Sequence, residues 1–147
     1  MDLKRFMGDW YVISCIGTSF ESKAFDSLEH YELKDNGSIA VSFSMRSGSA
    51  TAPLKTNRLK AGALSAQHPS NAVWWVQLLW PFKAEYLIAH VDEDYQTTII
   101  ARSKLDYVWL MARTPTIDDS LKKDLHAKIQ ALGYDASKLR DVPQAKR

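Results

Sequence analysis

The chain has 147 residues, 46% hydrophobic, 24% charged and 11% aromatic, which suits one domain with its own core and leaves no room for a second full one. Lys and Arg number 19 against 17 Asp and Glu, a net charge of +2 that argues against nucleic-acid binding by phosphate neutralisation. A single cysteine, Cys15, rules out an intrachain disulfide or a cysteine-built metal site, and no apolar run reaches the roughly 20 residues of a membrane-spanning helix.

The start, Met1 to Gly8, lacks an apolar stretch of signal-peptide length, so the residues alone predict no export address. From there the chain alternates in period two, with turn signals about every ten residues. Strands are predicted over 10–16, 27–34, 39–45, 53–64, 72–79, 85–91, 95–102 and 106–113. Asp35-Asn36-Gly37-Ser38 reads as a hairpin turn, and Pro53 favours a strand start. After Pro115 the period changes: Ile117, Leu121, Leu125, Ile129 and Leu132 fall on one helical face. Thr116 with Asp119 resembles a capping box, and Gly133 supplies the stop.

Eight short strands joined by tight turns remove their edges best by closing into an up-and-down barrel. The expected architecture is all-β: an eight-stranded antiparallel barrel over about residues 9–113, a helix over about 116–132 packed outside against Val108 and Leu110, and a tail over 133–147, all within a single domain 1–147. Up-and-down connectivity gathers Gly8 to Trp10, the Asp92 to Tyr95 turn and Arg113 at one end. The other end collects the loop carrying Phe20 and Phe25, the Ser47 to Ser49 turn, Trp80 to Lys83 and Ser103 to Leu105, an aromatic mouth.

These residues carry a resemblance to the lipocalin family, and most to its bacterial outer-membrane, apolipoprotein D-like group. Phe6-Met7-Gly8-Asp9-Trp10-Tyr11-Val12-Ile13 is similar to the family's first motif, Val91-Asp92-Glu93-Asp94-Tyr95 to the second, and Tyr107-Val108-Trp109-Leu110-Met111-Ala112-Arg113-Thr114-Pro115 to the third. Phe20-Glu21 falls where the bacterial group carries such a pair. The resemblance implies structural roles for Gly8, Trp10, Asp94, Tyr95 and Arg113, with Arg113 over Trp10 as a cation–π lid contributing about 0.5–2 kcal/mol. It also implies an envelope location, in the outer membrane or periplasm, through a lipid-modified cysteine near the mature start. Cys15 cannot serve as that cysteine, and the sequence read as a complete product predicts a cytoplasmic protein.

Alternation gives an inward set of Ile39, Val41, Phe43 and Met45; Trp74, Val76 and Leu78; Tyr86, Ile88 and His90; Thr97, Ile99 and Ala101; and Tyr107, Trp109 and Met111. In a generic barrel these side chains would fill a dry core. The resemblance implies a cavity instead, lined by Phe20, Val41, Phe43, Met45, Trp74, Val76, Leu78, Tyr86, Ile88, Ile99, Tyr107 and Trp109. Its implied ligand is a fatty acid or lysophospholipid, stored or moved in envelope lipid maintenance, with Tyr86, Tyr107 or Lys83 orienting the head group. No cofactor, metal or nucleic acid is expected, because His30, His68, His90 and His126 share no ligand spacing. The rival expectation is a barrel isomerase or hydrolase acting on a lipophilic substrate, with His90 as its inward acid or base. Trp75 and Tyr11 suggest a patch for a homodimer.

Overall fold

β-branched and aromatic residues alternating with small or polar ones form the wall. The computed structural model describes residues 1–19, 21–58, 64–65, 69–79 and 81–145, and of 64–65 and 77–79 only the backbone. A short helix, α1 (Leu3–Phe6), leads into β1 (Gly8–Ile16), β2 (Ala24–Leu33), β3 (Ser38–Ser47), β4 (Lys55–Arg58), β5 (Leu64–Ser65), β6 (Val73–Leu79), β7 (Phe82–Val91), β8 (Thr97–Ala101) and β9 (Val108–Ala112). Then follow α2 (Asp119–Ala131) and a last strand, β10 (Arg140–Asp141). The sheet is antiparallel in the order β4-β3-β2-β1-β9-β8-β7-β6, with β5 on β3 and β10 on β1. These eight strands curl into a half-barrel, the predicted strand over 53–64 being represented by β4 and β5.

Two apolar clusters lie on the two faces of the wall. Inside are Trp10, Val12, Tyr31, Ile39, Val41, Trp74, Val76, Ile88, Ile100 and Met111, closed below by Phe6. Outside, Ile13, Ile99, Ala101, Val108, Leu110 and Ala112 pack against Leu125 and Ile129 of α2 and against Tyr134. Val108 and Leu110 thus meet the helix as expected. Leu121 and Leu132, two residues of the predicted stripe, stand 40% and 42% exposed. The expected capping box is absent: Asp118 is the N-cap, without a side-chain cap bond, and Thr114 Oγ1 donates to the Thr116 carbonyl at 2.8 Å.

The inward assignment of His90 is overturned by one bulge, and that of Thr97, Ile99 and Ala101 by the register of β8 on β9, where Ile99 pairs with outward Leu110 and Ile100 with inward Trp109. Ile88 pairs with Ile100, but the next pair is His90 with Ile99, so Ala89 is the extra residue in β7. A bulge switches the side-chain phase of its strand. His90 and Ile99 consequently share the outer face, and Ile100 takes the inward place in β8. Tyr95 does not extend β8 because it sits in the preceding turn at a φ of 57°.

The tail is built into the wall. β1 and β2 pair only from Gly8↔Tyr31 to Tyr11↔Leu28, and above that level they part. Residues 140–145 fill the gap: Arg140 and Asp141 pair with Cys15 and Ser14, the Val142 amide donates to the Ile13 carbonyl at 2.9 Å, and the Asp26 amide donates to the Pro143 carbonyl at 2.9 Å. Phe25 lies in β2 rather than in the loop, with the Arg140 guanidinium 5.8 Å from its ring centre.

Candidate functional site

The closed end is sealed by aromatic rings. Phe6 is fully buried, 5.0 Å from the Trp10 ring, 5.5 Å from Tyr31 and 5.3 Å from Trp74. Gly8 has a φ of +95°, a conformation that favours glycine, and a Cβ there would come within 3.4 Å of Arg113 Nη1. Asp92 rather than Asp94 holds the neighbouring turn by its carboxylate, accepting from the Gln96 amide at 2.8 Å and the Thr97 amide at 2.6 Å. Asp94 contributes its carbonyl to Gln96 Nε2. The Tyr95 hydroxyl accepts from the Asp2 amide at 2.7 Å, and Arg5 lies 4.2 Å over its ring.

Above this plug lies a cavity of about 560 Å³. Val41, Phe43, Val76, Ala84, Tyr86, Tyr107 and Trp109 give it an apolar wall, and Thr18, Glu21, Glu29, Asn57, Glu85 and Arg102 add polar groups. Sequence reasoning named Val41, Phe43, Val76, Tyr86, Tyr107 and Trp109 for this region. It missed Glu21, Glu29 and Arg102, which polarity assigns to the surface. The signal for Glu29 was its position two residues before Tyr31, on the same face of the strand.

Trp74 and Ile88 face inward but belong to the floor, Trp74 stacking on Tyr86 at 5.9 Å. Met45 is buried without reaching the lining, and Ile99 is on the outer face, where it cannot touch a ligand in the cavity. Phe20, the Leu78 side chain, Trp80 and His68 lie outside the described residues.

Glu29 is the most unusual group in the wall. Its Oε2 accepts from the hydroxyls of Tyr31 and Tyr86, the latter at 2.9 Å, and these two hydroxyls also touch each other. Burial pushes the Glu29 carboxyl above its ordinary range, and burial beside Glu29 pushes both phenols well up. The Tyr86 hydroxyl is thereby engaged and is not a free group at the mouth, contrary to its expected head-group role. Higher up, Glu21 accepts from Trp109 Nε1 at 2.9 Å and from the Thr18 amide at 2.9 Å, which fastens the β1–β2 connection to the wall.

Arg102 is the lining cation. Its guanidinium lies 5.4 Å from the Tyr107 ring centre, and its Nε is 3.2 Å from Asp106 Oδ1 without making a hydrogen bond. The Tyr134 hydroxyl accepts from the Arg102 amide at 3.0 Å and donates to the Tyr107 carbonyl at 2.7 Å, so the β8–β9 connection is held rigidly beside the opening.

The remaining titratable candidates stand elsewhere. His30 pairs with Asp9 at 2.6 Å on the outer surface, and His90 is on the outer face near Lys128. His126 Nε2 is 2.8 Å from Ser14 Oγ, but Ser14 is fully buried between helix and wall and Asp141 pairs with Lys122, so the contact fastens α2 to the barrel. Burial raises the Cys15 thiol to about 12, with Glu21 adding to it, which leaves an unreactive small apolar residue. Among the described residues no cluster of three His, Cys, Asp or Glu side chains is placed to hold a metal ion. Trp75 on β6 and Tyr11 on β1 are separated by β7, β8 and β9, so they do not form one self-association patch.

Comparison with known proteins agrees with this geometry. The sequence matches the family described as a lipocalin-like domain over residues 1–144. It is 29% identical over 143 residues to the outer membrane lipoprotein Blc of Citrobacter freundii, covering 97% of this chain and 79% of the relative. It is 28% identical over 149 residues to temperature-induced lipocalin-1 of Arabidopsis thaliana, covering 99% and 80%. Lobster apocrustacyanin A1 has the same fold at a TM-score of 0.73 and 12% identity, covering 99% of this chain and 81% of that one. A Gly-x-Trp strand closed by Arg113, an internal cavity, an outer helix and a family match over nearly the full length place the chain in the lipocalin family.

Proposed function

We propose that this lipocalin is a non-catalytic carrier that holds one acyl chain of a fatty acid or lysophospholipid in its cavity. The observation that carries the reading is the cavity itself: about 560 Å³, with an apolar wall of Val41, Phe43, Val76, Tyr107 and Trp109. Ligand pockets commonly enclose about 300–1,000 Å³, and burial of apolar area contributes roughly 25 cal/mol per Å².

The polar groups favour one orientation. A carboxylate or phosphate carried to the floor would meet Glu29, whereas at the mouth it meets Arg102, with Lys83 near the upper end of β7. The ligand therefore enters tail first. The placement of His90 outside the barrel removes the one inward acid or base named for a barrel enzyme. Relatives named as outer membrane lipoproteins support a place in the cell envelope.

The test is native mass spectrometry beside titration with a fluorescent fatty acid, read by quenching of Trp74 and Trp109. Uptake of about one chain per molecule is expected. Phe43→Glu should abolish it while the circular dichroism of the sheet is unchanged, and Arg102→Ala should weaken a fatty acid but not the corresponding alcohol. Undiminished affinity in Phe43→Glu would remove the pocket assignment.

A further inference from the structure

The mouth carries a second pattern that ligand binding does not require. Three large apolar side chains stand exposed at the open end: Leu54 just before β4 at 46%, Phe82 at the start of β7 at 69%, and Leu105 between β8 and β9, beside Gly133, at 44%. Each is next to a lysine in sequence, as Leu54-Lys55, Phe82-Lys83 and Lys104-Leu105, and Lys23 ends the connection from β1 to β2. All four lysines are exposed, and none forms an ion pair among the described residues.

The acidic residues at this end are already engaged. Asp26 is paired with Arg46 at 2.8 Å, Asp106 lies against Arg102, Glu85 accepts from the Ser103 amide and hydroxyl, Glu21 holds Trp109, and Asp135 caps Ser137. Four lysines without an ion pair among the described residues thus stand at the mouth beside the carboxylates of Glu21, Glu85 and Asp135, while Asp35, Glu93, Asp94 and Asp118 belong to turns and caps at the closed end.

We propose that the open rim docks directly on an anionic lipid bilayer, with Leu54, Phe82 and Leu105 entering the head-group boundary and the four lysines reaching lipid phosphates. The shape of the pattern selects this occupant. A protein interface has a contiguous apolar core inside a polar rim, whereas here the exposed apolar side chains come from three well-separated stretches of chain at the open end. A soft planar boundary accepts separate tips in one plane, and lysine stems lie along its apolar edge with their ammonium groups in the phosphate layer. Docked this way, the cavity opens onto the lipid, and an acyl chain passes between bilayer and barrel without crossing water. The docking is independent of a lipid anchor and of which ligand the cavity prefers.

The test is flotation of the full chain with phosphatidylcholine vesicles containing about one-third phosphatidylglycerol, against pure phosphatidylcholine vesicles. Binding to the anionic vesicles alone is expected, suppressed at about 1 M salt. Leu54→Ser/Phe82→Ser/Leu105→Ser and, separately, Lys23→Gln/Lys55→Gln/Lys104→Gln should each weaken it by about tenfold or more. The lysine variant should still take up fluorescent fatty acid from solution, since none of the three lines the cavity. Absence of binding by the unmodified chain, or binding indifferent to both variants, overturns the proposal. So does a concentration-dependent dimer that the apolar variant dissolves while vesicles capture neither form, which would make a second copy the occupant. Vesicle binding without fatty-acid uptake would strike the ligand reading alone.

Discussion

Arg113 lies flat over Trp10, its guanidinium carbon 3.8 Å from the ring centre, and ties the end of β9 to residues 5–10 and to Tyr95, three stretches distant in sequence. Its Nη1 donates to the Asp9 carbonyl at 2.8 Å, its Nη2 to the Arg5 and Phe6 carbonyls at 2.8 and 3.1 Å, and its Nε to the Tyr95 carbonyl at 3.2 Å. One planar fork therefore satisfies carbonyls of α1, β1 and the β7–β8 turn while shielding the indole. Trp10 Nε1 in turn donates to the same Phe6 carbonyl at 2.8 Å.

Replacing Arg113 tests this seal. Arg113→Ala loses the cation–π contact and leaves several carbonyls to water, an expected destabilisation of about 3 kcal/mol by chemical denaturation. Arg113→Lys should recover less than half, because an ammonium point charge cannot reach carbonyls on three sides and stack at once. Full recovery by lysine would reduce the role of the residue to its charge.

Where sequence periodicity was uninterrupted, it located both the strand and its inward face. Ile39, Val41 and Phe43 in β3 and Trp74 and Val76 in β6 follow the alternation, and Trp10 and Arg113 meet as the family resemblance implied. The failures have local causes. One extra residue at Ala89 inverted the upper and lower phases of β7 and misplaced His90, because a bulge has no compositional mark. Glu29 reads as a surface residue, and only the two phenols brought by β2 and β7 make its burial tolerable. The tail, basic and without periodicity, reads as a solvated end, since its partners Val12, Ser14 and Asp26 are more than a hundred residues away.

That tail yields a second prediction. Gln144 Nε2 bridges the Val12 carbonyl at 2.8 Å and the Ser27 carbonyl at 3.0 Å across the split between β1 and β2, and the Ala145 amide donates to buried Asp26. Gln144→Ala should cost about 1–2 kcal/mol by leaving two carbonyls without a donor in the gap. Deleting residues 140–147 also removes buried Val142 and should lower the melting temperature by considerably more. Amide exchange would locate the effect at the upper halves of β1 and β2, with the closed end still protected. Uniform loss of protection would show that the tail supports the whole wall instead.

Glu29 gives a prediction whose sign is fixed by the direction of its shift. Below its ordinary value of 4.5, the carboxyl is neutral in both native and unfolded chains and imposes no penalty. As pH rises above that value, the unfolded chain releases its proton while the buried native carboxyl retains it, so native stability declines until the raised native value is passed. Glu29→Gln keeps an oxygen to accept from Tyr31 and Tyr86 and cannot ionise. Denaturation at about pH 4 should therefore find the two chains nearly equal, and at about pH 8 the glutamine chain more stable. Parallel stability curves for the two chains would mean that burial does not raise the Glu29 carboxyl.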